Sequence, residues 1–388
     1  MPFSFSSLHP WILFSAIFLL PPMFNLRLWL RDLARIRKLT ALRTENPSLD
    51  RHRGAAPRVS FLVAAWNAES TIRSCLEAIG RLSYANFEIV LSAGGADLTW
   101  KIATECRDLR LILIAQQPGD GKQESLRRCL ERARGEIIYL LDAGGRITDA
   151  AFARIVAPIL RGDEQVVTAN PCTPVREQID NPFAVSQCAS QVYTSIYQPE
   201  YCTGLLGANC AILRSALEQA GGFNAAVLTG GDYDLGKRLL RQGRRIRYEV
   251  DASFPTEFHT DVRPYLRQQA RWIRNVVIRG IGYGAYGEVA AGIATSLVGL
   301  AMIALPLLSV ALAWTSPAAA RIFGGVWTVA FLHAYLSRLR YLNVAARWMG
   351  LRFSPTMLVT LPLLMFIDFI AWSIPLFQYP SRGWRERW

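Results

Sequence analysis

Three long apolar stretches toward the C-terminus constrain this chain more than any other feature. Val289 to Thr315, Ala318 to Leu336 and Pro355 to Phe377 are each long enough to cross a hydrocarbon core of ~30 Å as a helix. A fourth stretch, Trp11 to Leu30, is apolar but interrupted by Pro21, Pro22 and Arg27, which predicts a kinked or tilted span. No Lys or Arg precedes it and no small-residue cleavage site follows it, so an anchor is expected rather than a cleaved leader. Basic segments, "RDLARIRKLTALR" and "SRLRYLNVAARWMGLR", follow the first stretch and separate the last two. The positive-inside rule puts both, together with the central domain, on the cytoplasmic face of a plasma or inner membrane. The expected layout is an anchor at 1–35, a basic linker at 36–56, a cytoplasmic domain with an interfacial helix at 57–285, about three transmembrane helices within 286–380, and a tail at 381–388.

Charge and cysteine usage narrow the class. The net charge is +13, and much of the basic excess flanks the apolar segments, which fits anionic lipid. No zinc-finger or RNP-type motif accompanies it, so no nucleic-acid partner is expected. The seven cysteines include no CxxC pair and are expected as buried, reduced thiols.

The central region has another rhythm. "RVSFLVAAW", "FEIVLSA", "RLILIA" and "EIIYLLDA" are short β-branched and apolar runs. Helix-like segments, "ESTIRSCLEAIGRL", "LTWKIATEC" and "KQESLRRCLERARG", alternate with them. Such alternation predicts an α/β domain with a parallel sheet, whose ligands sit beyond the carboxyl ends of the strands. Those ends are Ala64–Asn67, Ser92–Gly95, Ala115–Gly119 and Asp142–Gly145.

Several short stretches carry chemistry. In "PGDGKQESLRRCL" Gly121 allows close backbone approach, and Lys122 at a helix N-terminus suits a diphosphate, although a lone Gly-Lys is common on solvated turns. "YLLDAGGR" ends a strand on a single acid, Asp142. "GDYDLGKRLL" reads by itself as a capped amphipathic helix. In "DVRPYLRQQARWIRN", Gln268, Arg271 and Trp272 stand at i, i+3 and i+4, hence on one helical face. The bland alternative there is an interfacial helix with snorkelling arginines.

In this order the stretches resemble the glycosyltransferase family 2 catalytic domain, a Rossmann-like mixed-sheet GT-A fold, over roughly Arg58 to Trp272. Gln268, Arg271 and Trp272 match that family's QxxRW motif in full. The resemblance implies an inverting transfer of a sugar from a nucleotide-sugar donor, UDP-linked by family habit, to a membrane lipid or glycan acceptor. It places Ala65, Glu69, Asp97, Lys122 and Asp142 at the donor and Asp232 as general base. Asn209, Gln268, Arg271 and Trp272 fall on the acceptor and diphosphate side, and Asp234 is expected as a structural helix partner.

There are departures. Ala64 stands in place of proline, Ser92 and Ala93 in place of paired aspartates, Gly144 in place of the second DxD acid, and Gly231 in place of an acid before Asp232. The thinned carboxylates leave two expectations open: Mg²⁺ or Mn²⁺ held at Asp142, or metal-independent neutralisation by Lys122, Arg146 or Lys101. They also motivate an alternative function, an impaired pseudo-glycosyltransferase serving as a nucleotide-binding or scaffold subunit. Asp368, an acid inside the last apolar stretch, reads by default as functional, and a partner such as His333 would explain it equally well.

Overall fold

The structure, a computed structural model, describes residues 10–43, 47 and 56–378. The expected 381–388 tail and most of the end of the basic linker lie outside the described residues. A long helix α1 (Pro10–Ala41) opens the chain and contains both Pro21 and Pro22. The α/β domain then runs β1 (Val59–Trp66), α2 (Ile72–Gly80), β2 (Phe87–Gly94), α3 (Thr99–Thr104), β3 (Leu111–Ala115), α4 (Gly121–Arg132) and β4 (Ile137–Leu141). It continues with α5 (Asp149–Leu160), β5 (Val166–Thr168), β6 (Thr173–Pro174), α6 (Pro182–Tyr197), β7 (Asn209–Leu213) and α7 (Arg214–Gln219). After α8 (Gly231–Arg241), β8 (Arg247–Tyr248) and β9 (Pro255–Thr256) come four long helices: α9 (Val262–Tyr283), α10 (Tyr286–Ala311), α11 (Pro317–Met349) and α12 (Thr356–Gln378).

Period-2 burial explains the layers. Along β1, Val59, Phe61, Val63 and Ala65 turn to one face, where they meet Phe87, Ile89 and Leu91 of β2, Tyr139 of β4, and Phe152 and Ile155 of α5. Leu62, Val90, Ile138 and Leu140 turn to the other face, against Leu126 and Cys129 of α4 and Leu235 and Leu239 of α8. Both faces are therefore covered, as the near-continuous apolar strands require. Seven strands form one sheet in the order β3-β2-β1-β4-β7-β5-β8. The β1, β2, β3 and β4 pairings are parallel, as expected, whereas β7 runs antiparallel to both neighbours, β4 and β5. That inversion brings Asn209, the start of β7, opposite Leu141 at the carboxyl end of β4.

Among the described residues three helices are long and apolar enough to cross a membrane: α10, α11 and α12. Their limits follow the expected stretches except in α11. The basic segment that follows Leu336 continues that helix to Met349. Its extension is amphipathic, and Leu342, Val344, Ala345 and Trp348 pack on Val185, Cys188, Ala189 and Val192 of α6. Polar contacts join α1 to the same helix. Asn25 meets His333 at 3.0 Å, the Trp29 indole donates to Asn343 at 3.0 Å, and Asp32 and Arg340 form a buried ion pair at 2.8 Å. His333 is thus engaged by α1 and is not the partner of Asp368. Arg338 fills that place at 2.5 Å, and Tyr265 donates to the other carboxylate oxygen.

Breaking the buried Asp32–Arg340 pair leaves an uncompensated charge, which typically costs about 3–5 kcal/mol. Asp32→Ala is expected to lower the thermal unfolding midpoint of the detergent-solubilised protein clearly. The apolar double change Asp32→Leu with Arg340→Met is expected to recover most of that loss.

Candidate active site

The crevice opens where the chain leaves β1, β2 and β4. Asn67, just beyond β1, adopts a left-handed conformation (φ 51°), and its amide N–H donates to the Gly94 carbonyl at 3.1 Å. Its side-chain carbonyl accepts the Ala96 amide at 2.8 Å, so it knits two loops rather than capping α2. Glu69 and Asp97 reinforce the same seam: Glu69 accepts the Leu98 amide at 2.9 Å and Asp97 accepts the Glu69 amide at 3.1 Å. Slight burial works to raise the Asp97 carboxyl, but its hydrogen bonds with Thr99 and the Glu69 amide outweigh it and hold the group below the usual range. Both acids expected at the donor therefore rim the crevice with part of their hydrogen-bonding capacity committed. Ala65 does not offer a side chain there, because strand alternation turns it into the core. Ser92 and Ala93, at the positions of the missing aspartates, are likewise fully buried at the end of β2.

The charged centre lies between α4 and β4. Lys122, in the first turn of α4, forms an ion pair with Asp142, which immediately follows β4. Desolvation works to lower the Lys122 ammonium, yet the charges of Asp142 and Asp232 outweigh it and the net shift is upward. Lys122 thus stays charged in a setting that feels two carboxylates from separate elements. Cys210 lies beneath them: burial pushes its thiol up, the Lys122 ammonium pulls against that, and the Asp232 and Asp142 charges add to the rise. Cys210 carries no motif of its own, and the one pointer to it is the alternation of "NCAIL", which sends Asn209 and Cys210 to opposite faces of β7.

That alternation also corrects the expectation for Asn209. It is fully buried, accepts from the Tyr139 hydroxyl at 2.5 Å and donates to the Ala252 carbonyl at 2.8 Å. Both ends of its amide are used inside the core, and it is no acceptor contact. Gly207, two residues earlier, is the part of this loop beside Asp232: a Cβ on it would stand 3.2 Å from the Asp232 Cβ. Asp232 is exposed in the first turn of α8, while Asp234 is buried and bonded to Arg238 and Tyr283 at 2.9 and 2.6 Å.

α9 closes the far side. Thr229, just before α8, donates to the Asn275 side chain at 2.9 Å, fixing the Asp232 loop one turn from Arg271 and Trp272. Arg271 and Trp272 are exposed, and among the described residues no acid pairs with Arg271. The Gln268 side-chain oxygen is buried without a partner. His259 packs nearby, where burial and then the Arg271 charge push it below the usual histidine range, against the pull of Asp261. Of the other expected cations, Arg146 lies 3.6 and 3.7 Å from Glu177 and Glu257, and Lys101 is exposed on α3.

The donor set does not fit a protein-held divalent cation. Among the described residues no group of three or more His, Cys, Asp or Glu side chains is placed to hold a metal. Asp142 already carries the Lys122 ammonium, and Glu257, whose amide donates to the Gly144 carbonyl at 3.3 Å, directs its carboxylate toward Arg146. No step below is routed through a metal.

The loss of an acid at 231 has a steric counterpart. A Cβ on Gly231 would come 1.9 Å from the Gln123 side-chain nitrogen, so Gln123 fills the space a side chain would take. Gly231→Ala is expected to destabilise the protein by about 1–3 kcal/mol through overpacking. Adding Gln123→Ala is expected to restore most of the unfolding midpoint.

Comparisons with known proteins agree with this architecture. The family described as Glycosyltransferase like family 2 matches residues 57–275. The chain is 27% identical over 198 residues to a beta-monoglucosyldiacylglycerol synthase of Trichormus variabilis, covering 48% of this chain and 42% of that protein. It is 25% identical over 247 residues to a probable glycosyltransferase of Bacillus subtilis, covering 56% and 55%. The chain thus spans about half the length of these curated relatives. Among solved structures, a Pyrobaculum calidifontis mannosyltransferase in complex with GDP-Man and Mn²⁺ shares the fold, with TM-score 0.51 and 19% identity over 86% of this chain and 98% of that one. Sheet, strand-end crevice and family match agree: the chain belongs to the glycosyltransferase family 2.

Proposed function

We propose that the protein is an inverting glycosyltransferase that moves a sugar from a UDP-linked donor to a membrane-lipid acceptor, with its catalytic domain on the cytoplasmic side. The observation that carries this is the convergence of Lys122, Asp142 and Asp232 at the carboxyl ends of the strands, below a helix bearing Gln268, Arg271 and Trp272. The relatives support the sugar-transfer class, and one is named as a synthase of a glycosylated diacylglycerol. The three apolar helices support a membrane acceptor.

The chemistry is a single displacement. An acceptor hydroxyl attacks the anomeric carbon opposite the leaving diphosphate, the carbon–oxygen bond to phosphate breaks, and Asp232 takes the hydroxyl proton. Lys122 and Arg271 neutralise the charge gathering on the leaving diphosphate, and the first turn of α4 adds its N–H groups. Asp142 orients Lys122, and Trp272 covers the sugar. Glu69 and Asp97 line the nucleotide side. Lys122 supplies the positive charge that a cation would otherwise bring.

The departures at Ser92, Ala93 and Gly144 favour a second reading, a nucleotide-binding scaffold without turnover. Purified full-length protein in nanodiscs, given UDP-sugars and extracted membrane lipid, distinguishes the two. Wild type is expected to release UDP, and Asp232→Asn to slow release by about 10²- to 10⁴-fold. Saturable nucleotide binding without turnover from any donor would establish the scaffold instead. Turnover is expected to persist in EDTA and to fall about 10²- to 10³-fold in Lys122→Ala. Activity abolished by EDTA and restored by Mn²⁺ would overturn the assignment of that charge to lysine.

A further inference from the structure

A second polar site lies away from the Lys122 centre, where the catalytic domain meets the apolar helices. A cavity of about 50 Å³ is lined by Gln187 and Ser190 of α6, Gln269 and Trp272 of α9, Arg338 of α11 and Asp368 of α12. Its charges cancel: Arg338 pairs with Asp368 at 2.5 Å and donates to the Ser190 hydroxyl at 2.6 Å. The rest of the lining is amide, hydroxyl and indole. Gln187 is only 3% exposed, and its side-chain nitrogen donates to the Phe183 and His259 carbonyls at 3.2 and 3.0 Å. Its side-chain oxygen is buried with no partner. A buried acceptor left unmet is costly, and the group that completes it must be a hydrogen-bond donor.

The cavity connects to the site above in two ways. Gln187 holds the His259 carbonyl, and His259 lies within the field of Arg271. Trp272 walls the cavity, while Asn275, three residues on and so ~4.5 Å along α9, braces the loop of Asp232.

We infer that this cavity receives one hydroxyl of the lipid acceptor's headgroup, and that the headgroup is an uncharged, hydroxyl-bearing one, of the glycerol or glycosylglycerol type, which donates a hydrogen bond to Gln187. An anionic phosphate headgroup is a poor match, because the one lining cation is already neutralised by Asp368 and the orphaned Gln187 oxygen would face a second acceptor. Cancelled charge together with an unmet acceptor selects a neutral donor of hydrogen bonds. The inference rests on the proposed transfer to a lipid and names the class of that lipid.

The test uses the full-length protein in nanodiscs containing a diacylglycerol, a monoglycosyl diacylglycerol or a polyprenyl phosphate, with UDP release and lipid product both measured. A neutral lipid is expected to be the acceptor, and Gln187→Leu to raise its KM about tenfold while the Kd for UDP stays unchanged. Gln269→Leu alters a half-buried lining residue, provides a variant with less risk to folding, and is expected to shift the same KM in the same direction. Preference for polyprenyl phosphate overturns the inference, as does a neutral-lipid KM unmoved in a folded Gln187→Leu or, where that variant does not fold, in Gln269→Leu. Failure of the underlying transferase reading is distinguishable, because it would show as no UDP release with any of the three lipids.

Discussion

The site depends on how β1 is enclosed. Hydrogen-bonded to β2 on one side and β4 on the other, β1 buries alternate residues against α5 and α4, so helices cover both faces of the sheet. With both faces closed, its polar business is left to the ends of the strands. Fully burying a side chain such as Phe61 is worth roughly 1.5–3 kcal/mol, and the rings of Phe61, Tyr139 and Phe152 pack at a tilt with centroids 4.9 to 5.7 Å apart. This aromatic cluster fixes the height at which β4 ends, and therefore where Asp142 emerges beside Lys122.

Around that fixed edge the two sides of the crevice are built differently. On the donor side, loops are tied by carboxylates and amides that bond backbone N–H groups, as Asn67, Glu69 and Asp97 do. On the opposite side, helices line the crevice, and they are anchored to the apolar region. α8, which bears Asp232, is bound through Tyr233 and Lys237 to Glu288 at the start of α10, at 2.6 and 2.5 Å. The helix of Asp232 is therefore braced by the first of the long apolar helices, whereas the Lys122–Asp142 pair lies within the α/β domain, between α4 and the end of β4.

Much of this is legible in the sequence where local pattern decides the outcome. The apolar runs of β1, β2 and β4, the helix start at Gly121–Lys122 and the shared face of Gln268, Arg271 and Trp272 need only period and turn chemistry. What escapes is set by pairing across long separations. That β7 runs antiparallel, and so hides Asn209 behind Tyr139, depends on a contact 70 residues away in sequence. That Gln123 occupies the space above Gly231, or that Arg338 rather than His333 meets Asp368, depends on how helices pack. The basic stretch after Leu336 shows where the apolar run ends, but that it stays helical and packs on α6 depends on the apolar surface α6 offers its buried side.

That unbroken helix has a geometrical consequence. At ~1.5 Å per residue, the 33 residues of α11 measure ~50 Å, well beyond a hydrocarbon layer of ~30 Å. The surplus is the part clamped to α6, so a single rod joins a stretch long and apolar enough to cross such a layer to the α/β domain. The α/β domain is thereby held at a set distance from the apolar end of α11, with no break in that helix to vary it.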